Sequence, residues 1–458
     1  SPRNILGTQL FNLIEKDEIT EVEYVSEFEF MSFSVGVTAK GNLKGFARAK
    51  SSDRLKVNTD SASTLLLFTN EGNVYKIPSF LISNVVKEEI LLENIIEGYN
   101  KKEKVIDVHS VKNFEEGKIT KEECDAVVDK AVTEVVAKQK ELGFHIITDG
   151  EFRRTYWHLD FMWGFEGVGH EQTGAGVQFN AEMAALEDTY LTGKVKAKAH
   201  PFVEGFKFLK QFEDENTVAK YTIPAPAQMF QQMIVPANFE NTRKYYATNE
   251  ELIRDIGKAY QEVIKQFYEA GCRNLQLDDC TWGAIVGDAA KQRYKNLGQD
   301  LDEVKGQLLE VNNLALEGKP ADMVITSHIC RGNYHSTFFT SGPYDSVADY
   351  VFAKENVDAL FLEYDDARSG GFAPLAKVSE DKKVVLGLVT TKSPELEDKE
   401  TVIKRIHEAV KYIPLERLCL SPQCGFASCE IGNKLTEEEQ WAKLKLVKEI
   451  AEEVWKDA

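Results

Sequence analysis

Four side chains that bind metal ions well stand at or near the ends of three apolar stretches of this sequence. His328 and Cys330 close one stretch, Glu363 ends the second, and Cys424 follows the third. An apolar, β-branched run that stops at a glycine is typical of a buried parallel strand, and residues two apart on a strand project to the same side. If the three strands belong to one closed parallel barrel, their ends meet at one rim. One imidazole, one carboxylate and two thiols then form a ligand set of the kind that zinc prefers.

Two plainer interpretations of these residues stay open. In isolation, His328 is a core histidine and Cys330 a small buried hydrophobic residue. A structural zinc site would use the same ligand types, although such ligands usually form close pairs in loops and these four are spread over three strand ends. The spread favours a catalytic zinc site.

The composition indicates a globular cytoplasmic protein. Of the 458 residues, 43% are hydrophobic and 28% are charged. No apolar run approaches the roughly 20 residues that cross a bilayer, and a signal-peptide pattern is lacking at the N-terminus. The net charge of -19 repels polyanions, so nucleic acid is a poor partner. The seven cysteines lack the even, close spacing of secreted disulfide frameworks, which indicates reduced thiols.

From about residue 114, segments with strand and helix patterns alternate. With residues 104–108 as a first strand the count of strands reaches eight, which predicts an α/β fold of the (β/α)8 TIM-barrel class. The other predicted strands are 144–148, 220–223, 274–278, the stretch of His328 and Cys330, 358–363, 384–389 and 418–420. The main predicted helices are 120–143, 250–270, 301–317, 344–355, one from about 398, and 437–455. We therefore expect a catalytic barrel over residues 101–458.

Residues 1–100 have a different pattern, that of a small all-β segment. Short β-rich runs are separated by turn sequences that suit hairpins. Residues 65–77, and the sequence that follows to about 113, resemble a blade of the C-terminal DNA-wrapping propeller of gyrase and topoisomerase IV A subunits. That family wraps DNA on a basic rim, whereas residues 1–100 hold 10 Lys or Arg and 14 Asp or Glu. An appended β module used for packing or for binding a partner is preferred, and a DNA-associated or scaffolding protein is the alternative function.

The barrel part resembles a second family through four motifs. These are His-Ile-Cys-Arg-Gly-Asn at 328–333, Glu363, Ser-Pro-Gln-Cys-Gly-Phe at 421–426 and Asp-Gly-Glu-Phe-Arg-Arg at 149–154. Over about 114–458 they resemble the short, single-barrel relatives of cobalamin-independent methionine synthase. The resemblance implies that zinc is held by His328, Cys330, Glu363 and Cys424. It also implies transfer of a methyl group to the thiol of homocysteine, which gives methionine.

The resemblance also implies residues that bind the rest of the acceptor. Glu151 and Asp278 match the residues that hold the ammonium group of homocysteine, and Arg154 and Asn333 stand where they fix the substrate or orient the ligands. A helix N-cap or a salt bridge is the plainer interpretation of either carboxylate. Lys392 occupies the place of a histidine that assists proton transfer in the larger enzymes of the family. A solvated surface lysine is the alternative there.

The methyl donor is expected to be a flat molecule. Aromatic residues at 156–163, together with Trp282, are able to stack on a pterin, although aromatic packing under a long loop explains them equally well. A methylated folate is the first choice of donor and a methylated corrinoid the second. The sequence leaves the oligomeric state open.

One departure from the family lies at the start of the barrel. The family opens with a strand followed by Gly-Ser and Arg-Pro, which help to hold the carboxylate of the amino acid. Residues 104–111 replace that sequence here. Metal binding should survive this replacement better than substrate affinity, because all four expected ligands lie downstream.

Overall fold

The computed structural model describes most of the chain. The described residues are 32–38, 42–46, 56–60, 64–71, 73–79, 82, 89–96, 99–100, 102–110, 121–171, 176–178, 183–185, 188–296, 299–428 and 433–455. The chain forms two compact units, Ser1–Val127 and Val128–Ala458. The predicted first residue of the helix 120–143, Thr120, and the seventh cysteine, Cys429, lie outside the described residues.

The first unit is built from short antiparallel strands, as the sequence predicted. One sheet has the order β3-β1-β2-β6 and a second has the order β5-β4-β7. The strands are β1 (Ser32–Val37), β2 (Leu43–Phe46), β3 (Lys56–Asp60), β4 (Thr64–Thr69), β5 (Val74–Pro78), β6 (Glu89–Ile90) and β7 (Val105–Ser110), with a 3-10 helix at Leu92–Asn94. Alternating residues such as Val35, Leu65 and Leu67 form a small core of their own.

The second unit is a parallel sheet with helices between its strands. β8 (Ile146–Ile147) pairs with β13 (Val218–Ala219), and a six-stranded sheet has the order β14 to β19. These six strands are β14 (Tyr221–Pro224), β15 (Asn274–Asp279), β16 (Val324–Ile329), β17 (Ala359–Glu363), β18 (Lys383–Val389) and β19 (Leu418–Pro422). All neighbouring strands among them are parallel, as the barrel prediction required.

Helices follow the strands at nearly the predicted bounds. The longer helices are Lys121–Glu141, Phe202–Lys210, Pro226–Ile234, Pro236–Arg243, Asn249–Glu269, Gly287–Asn296, Leu301–Leu316, Lys399–Ala409 and Glu437–Val454. Four-residue helices lie at Leu159–Met162, Thr281–Ala284, Asp345–Ala348 and Val351–Lys354, and 3-10 helices at Ala367–Ser369, Ala373–Lys377 and Leu415–Arg417. The predicted helix at 344–355 is thus broken into two. Antiparallel ribbons β9 (Glu166–Glu171) with β12 (Asp188–Lys196), and β10 (Gly176–Gln178) with β11 (Met183–Ala185), complete the unit.

The fold class is confirmed, but one expected strand was wrong. Val105–Ser110 pairs antiparallel with Thr64–Thr69 in the first unit and is not the first strand of the barrel. Val105 and Val108 are buried there while Ile106 is 53% exposed. One buried face is the pattern of an antiparallel strand, whereas a barrel strand is covered on both faces.

The core of the second unit lies between the parallel sheet and its helices. Strand residues such as Leu277, Ile325 and Leu386 are fully buried against helix residues such as Ile256 and Leu308. These helices pack on the sheet through an apolar stripe, and the polar residues at the strand ends lie outside this core. In the part of the chain that the structure describes, no helix is long and apolar enough to cross a membrane.

Candidate metal centre

Four side chains from three strand ends converge in the second unit. One ligand atom each of His328, Cys330, Glu363 and Cys424 lies within 4.8 Å of the corresponding atoms of the other three. His328 lies one residue before the end of β16, Glu363 is the last residue of β17, and Cys424 lies two residues beyond the end of β19. Because neighbouring strands are parallel, their carboxyl ends lie at one rim and bring these residues together.

The spacing of the donor atoms is close to that around a bound metal ion. His328 Nε2 and Glu363 Oε1 lie 3.6 Å apart, and the Cys330 and Cys424 sulfurs lie 4.0 Å apart. A tetrahedral zinc ion with the usual bond lengths places its ligand atoms roughly 3.3 to 3.8 Å from one another. Both Nε2 and Oε1 are buried without a hydrogen-bond partner among the described residues. Buried polar atoms normally have a hydrogen-bond partner. A cation bound between Nε2 and Oε1 would explain why these two atoms have none.

The imidazole of His328 is oriented from behind by Asp278. Asp278 Oδ1 lies 3.2 Å from Nδ1 of His328, and it accepts a 2.7 Å hydrogen bond from Gln276 Nε2. Burial lowers the pKa of His328, but the neighbouring carboxylates of Asp278 and Glu363 and the charge of Cys330 raise it well above the ordinary value. A carboxylate behind a histidine ligand is the usual arrangement at protein metal sites.

The loop that carries Cys330 is held by close packing against a short helix. A Cβ added to Gly283, in the helix Thr281–Ala284, would lie 2.0 Å from the carbonyl oxygen of Cys330. Glycine is therefore required at this position. The Cys330 sulfur accepts a 3.3 Å hydrogen bond from the Gly332 N–H. Hydrogen bonds from the thiols of Cys280 and Cys424 hold the pKa of Cys330 well below its usual range.

Glu363 is held from its other side by a cluster of charges. Its Oε2 accepts a 3.1 Å bond from Arg368, which also contacts Asp365 at 2.8 Å. The Lys392 ammonium lies 3.1 Å from Asp365, and its side chain is only 10% exposed. Burial raises the pKa of Glu363, and the hydrogen bond with Cys330 together with burial raises the pKa of Cys424 well above its usual range; the charge of Lys392 opposes both shifts. Lys392 is therefore a buried, ion-paired group and not a solvated surface lysine.

Glu151 forms an ion pair with Arg154, whose side chain is 3% exposed, whereas that of Glu151 is 27% exposed. The Arg154 guanidinium lies 2.9 Å from Glu151 and donates to the carbonyl oxygen of Thr222 at 2.6 Å. Glu151 has a φ of 59°, which is unusual for a residue with a side chain. Burial raises its pKa against the opposing charge of Arg154, and the charge of Asp278 raises it further. Arg154 thus holds Glu151 in place, while Glu151 and Asp278 both line the cavity.

Asn333 fixes the loop that carries Cys424. Its side-chain amide donates a 2.6 Å bond to the carbonyl oxygen of Gly425. The side chain is buried, so this bond connects the end of β16 to the loop after β19. Asn333 therefore positions a ligand loop, one of the two roles expected for it.

A cavity of about 1580 Å³ opens above the cluster. Tyr156 and Trp157 line it, with the Trp157 ring stacked on His158 at 4.4 Å between centroids. Trp282 is completely buried and does not line the cavity, so its expected stacking on a donor is wrong. Phe161 is likewise a core residue. Some aromatic residues of the segment 156–163 therefore line the cavity, and others pack in the core.

Sequence reasoning missed three polar residues beside this cluster. Lys220 and Gln276 lie one strand layer below Thr222 and Asp278, and Cys280 contacts Cys330. The signal for Lys220 and Gln276 in the sequence was their position. Each lies two residues before a polar residue, Thr222 or Asp278, and therefore on the same face of its strand. Cys280 follows the end of β15, where its contact depends on a turn that the pattern does not specify.

Comparisons with known proteins identify the family to which this chain belongs. Residues 102–453 match the family model described as "Cobalamin-independent synthase, Catalytic domain". The uncharacterized protein YxjH of Bacillus subtilis (strain 168) is 43% identical over 341 residues, which cover 74% of this chain and 89% of that protein. A crystal structure of the putative vitamin-B12 independent methionine synthase from Listeria monocytogenes has a TM-score of 0.58 and 37% identity, and covers 75% of this chain and 92% of its own.

A second solved structure supports the fold. The B12-independent methionine synthase from Shewanella sp. W3-18-1, solved in complex with selenomethionine, has a TM-score of 0.57 and 21% identity. The match covers 74% of this chain and 91% of that chain. The family model, over residues 102–453, spans nearly all of the second unit, Val128–Ala458, where the metal-ligand cluster and the cavity lie.

Proposed function

Because this chain belongs to the family of cobalamin-independent synthase catalytic domains, we propose that it is a zinc-dependent methyltransferase that moves a methyl group to a thiol. Homocysteine is the proposed acceptor and methionine the product. The selenomethionine complex of the Shewanella relative supports a methionine-like ligand. The observation that carries the proposal is the convergence of His328, Cys330, Glu363 and Cys424 within 4.8 Å.

These four residues would hold the zinc ion. Bound there, zinc would lower the pKa of the acceptor thiol and keep it a thiolate near neutral pH. Two cysteinates and one carboxylate make the ligand set net negative, which leaves the acceptor sulfur more nucleophilic than a cationic site would. A purely structural role is disfavoured, because the cluster opens on a cavity of about 1580 Å³.

The remaining groups of the acceptor have partners in the same cavity. Glu151 and Asp278 present carboxylates that accept hydrogen bonds from its ammonium, and Arg154 holds Glu151 in position. Fixing the ammonium and the sulfur together orients the sulfur toward the cavity, where the donor enters. The Trp157 ring offers an apolar face for a flat donor.

The reaction balances for either donor. The acceptor sulfur gives an electron pair to the methyl carbon, and a new S–C bond forms as the bond from methyl to the donor breaks. A folate nitrogen keeps that electron pair and takes up a proton, for which Lys392, paired with Asp365, is the proposed source. A corrinoid would keep the pair on cobalt and need no proton. We propose a methylated folate first and a methylated corrinoid second.

Metal analysis and an activity assay test the proposal together. Gently purified protein should carry about one zinc per chain and form methionine from homocysteine with methyltetrahydrofolate or methylcobalamin. His328→Ala and Cys424→Ser should lose both the metal and the activity, whereas Cys419→Ser, a thiol on β19 that also lines the cavity, should keep both. A wild-type protein that carries no zinc and makes no methionine contradicts the proposal.

A further inference from the structure

The cavity contains a lysine that the ligand cluster does not use. Lys220, between β13 and β14, is half-buried and lines the cavity. Its ammonium donates a 2.7 Å hydrogen bond to Gln276 Oε1 and lies 4.3 Å from the centre of the Phe361 ring. Among the described residues, no carboxylate oxygen lies within ion-pair distance of it. A cation withdrawn from bulk water without a counter-ion is costly, unless a ligand supplies the counter-ion.

The other basic groups around this cavity differ from Lys220. Arg331 also lines it, but it is 1% exposed. Its guanidinium donates to the Gly342 carbonyl oxygen and covers the Tyr344 ring, while Nε and Nη2 have no hydrogen-bond partner among the described residues. Arg293 lies exposed on the helix Gly287–Asn296. Several other largely buried basic groups have carboxylate partners: Arg154 with Glu151, Arg368 and Lys392 with Asp365, and Lys443 with Glu397. Of the described lysine and arginine residues that line the cavity, Lys220 is therefore the partly buried one, in contrast to the exposed Arg293 and the fully buried Arg331, and it has no carboxylate within ion-pair distance.

Lys220 is connected to the proposed acceptor site by hydrogen bonds. Gln276 links its ammonium to Asp278, with 2.7 Å on either side, and Asp278 contacts His328 at 3.2 Å. Lys220 thus lies one strand layer below the carboxylates that face the cavity. A ligand with its sulfur at the cluster and its ammonium at Glu151 and Asp278 has a third polar group to place.

We propose that Lys220 binds the carboxylate of the acceptor, so that the site selects α-amino acid thiols over thiols that lack a carboxylate. This inference rests on the proposed function. The carboxylate would supply the counter-ion that Lys220 lacks and form a charge-assisted hydrogen bond with one of its free N–H donors. Burial lowers the pKa of Lys220 to about 8, against the charge of Asp278, which agrees with a cation short of partners.

Two pairs of ligands test the role of Lys220. In each pair one member carries the carboxylate and the other lacks it: homocysteine with 3-aminopropanethiol, and methionine with 3-(methylthio)propylamine. Thiol binding is followed by the sulfur-to-metal absorption of the Co²⁺-substituted holoprotein, and binding of the thioethers is followed by calorimetry. Lys220→Met should weaken both carboxylate ligands about tenfold to a hundredfold and leave their decarboxylated partners unchanged. Lys220→Arg should restore much of the loss.

Lys305→Met serves as the matched control, because Lys305 is a buried lysine paired with Asp302 and does not line the cavity. Equal weakening of both members of a pair in Lys220→Met would assign Lys220 a structural role and overturn the inference. An unchanged affinity for methionine, or no binding of methionine by the wild-type protein, would overturn it as well. A wild-type protein that binds methionine through Lys220 but gives no sulfur-to-metal absorption would instead contradict the proposed function.

Discussion

Asp278 Oδ1 lies 3.2 Å from His328 Nδ1 and fixes which nitrogen of the ring faces the other ligands. With Nδ1 engaged, Nε2 points at Glu363, 3.6 Å away. The same carboxylate lines the cavity and is the proposed partner of the acceptor ammonium. One side chain thus connects the orientation of His328, a proposed metal ligand, to the proposed binding of the acceptor.

Asp278→Asn should therefore weaken metal binding without unfolding the protein. The amide keeps the shape but removes the negative charge behind the imidazole. We expect the affinity for zinc to fall about tenfold, the lower end of the usual effect of such partners. Competition with a chelator at fixed pH measures it. Asp322→Asn is the control, because Asp322 pairs with Arg273 outside the cavity. An unchanged zinc affinity would remove Asp278 from this role.

The close packing at Gly283 predicts a local effect of a single methyl group. In Gly283→Ala the new Cβ would collide with the Cys330 carbonyl oxygen, which must move and take its loop along. We expect less than one zinc per chain and a loss of unfolding free energy of about 1 to 3 kcal/mol. Gly306→Ala is the matched control, because nothing lies within 4 Å of its added Cβ. In the helix Leu301–Leu316 that control should gain about 0.5 to 1 kcal/mol. Full zinc occupancy in Gly283→Ala would contradict the packing argument.

A buried carboxyl beneath the rim predicts how stability depends on pH. Burial and the charge of Asp279 raise the pKa of Glu355 to about 8, and its Oε1 accepts a 3.3 Å bond from Asn312. A raised pKa favours the protonated form in the folded state, so this contribution to stability is present at low pH. It is lost as the pH rises from the unfolded value, about 4.5, toward 8.

Glu355→Gln should remove this dependence. Since one pKa unit corresponds to about 1.4 kcal/mol, the variant should gain on the order of a few kcal/mol over the wild type at pH 8. At pH 4.5 the two proteins should differ little. Thermal unfolding at both pH values measures the difference. The prediction is wrong if the variant is equally stabilised at both, or destabilised at pH 8.

Two substitutions of Lys392 distinguish a proton donor from a fixed charge. As the proposed donor, Lys392 should tolerate neither Met nor Arg, because arginine keeps the charge but holds its proton too tightly to give it up. We expect kcat with a methylated folate to fall about a hundredfold in both variants. Steady-state rates and zinc content should be measured together. If Lys392→Arg turned over at the wild-type rate, the proton-donor role would be contradicted. The role of Lys392 would then be limited to its electrostatic effect on Glu363 and Cys424.

The sequence allowed the metal-ligand cluster to be predicted because each ligand stands beside a long apolar run. Such runs become buried strands almost regardless of context, and parallel strands bring their carboxyl ends to one rim. The observed ends of β15 to β19 consequently lie, in most cases, within two residues of the predicted ends. The roles of Arg154 and Trp282 depended on which way a loop turns, and the sequence pattern does not contain that information.

The prediction of the first strand of the barrel was wrong for a different physical reason. Polar residues Asp107 and His109 interrupt its apolar run, which is the alternation of a strand with one covered face. Such a strand pairs with any suitable edge, and Thr64–Thr69 offers one. Lys220 was missed because a lysine in a short strand is usually exposed, and its burial follows from the closure of the barrel around it.

X-ray absorption at the zinc edge of the purified protein tests the central claim most directly. One zinc per chain, with two sulfur neighbours at about 2.3 Å and the remaining neighbours nitrogen or oxygen at about 2.0 to 2.1 Å, is the predicted result. Cys424→Ser should lose one sulfur neighbour or the metal altogether, and Cys419→Ser should give the wild-type spectrum. Zinc surrounded only by oxygen and nitrogen, or a spectrum unchanged in Cys424→Ser, would contradict the account.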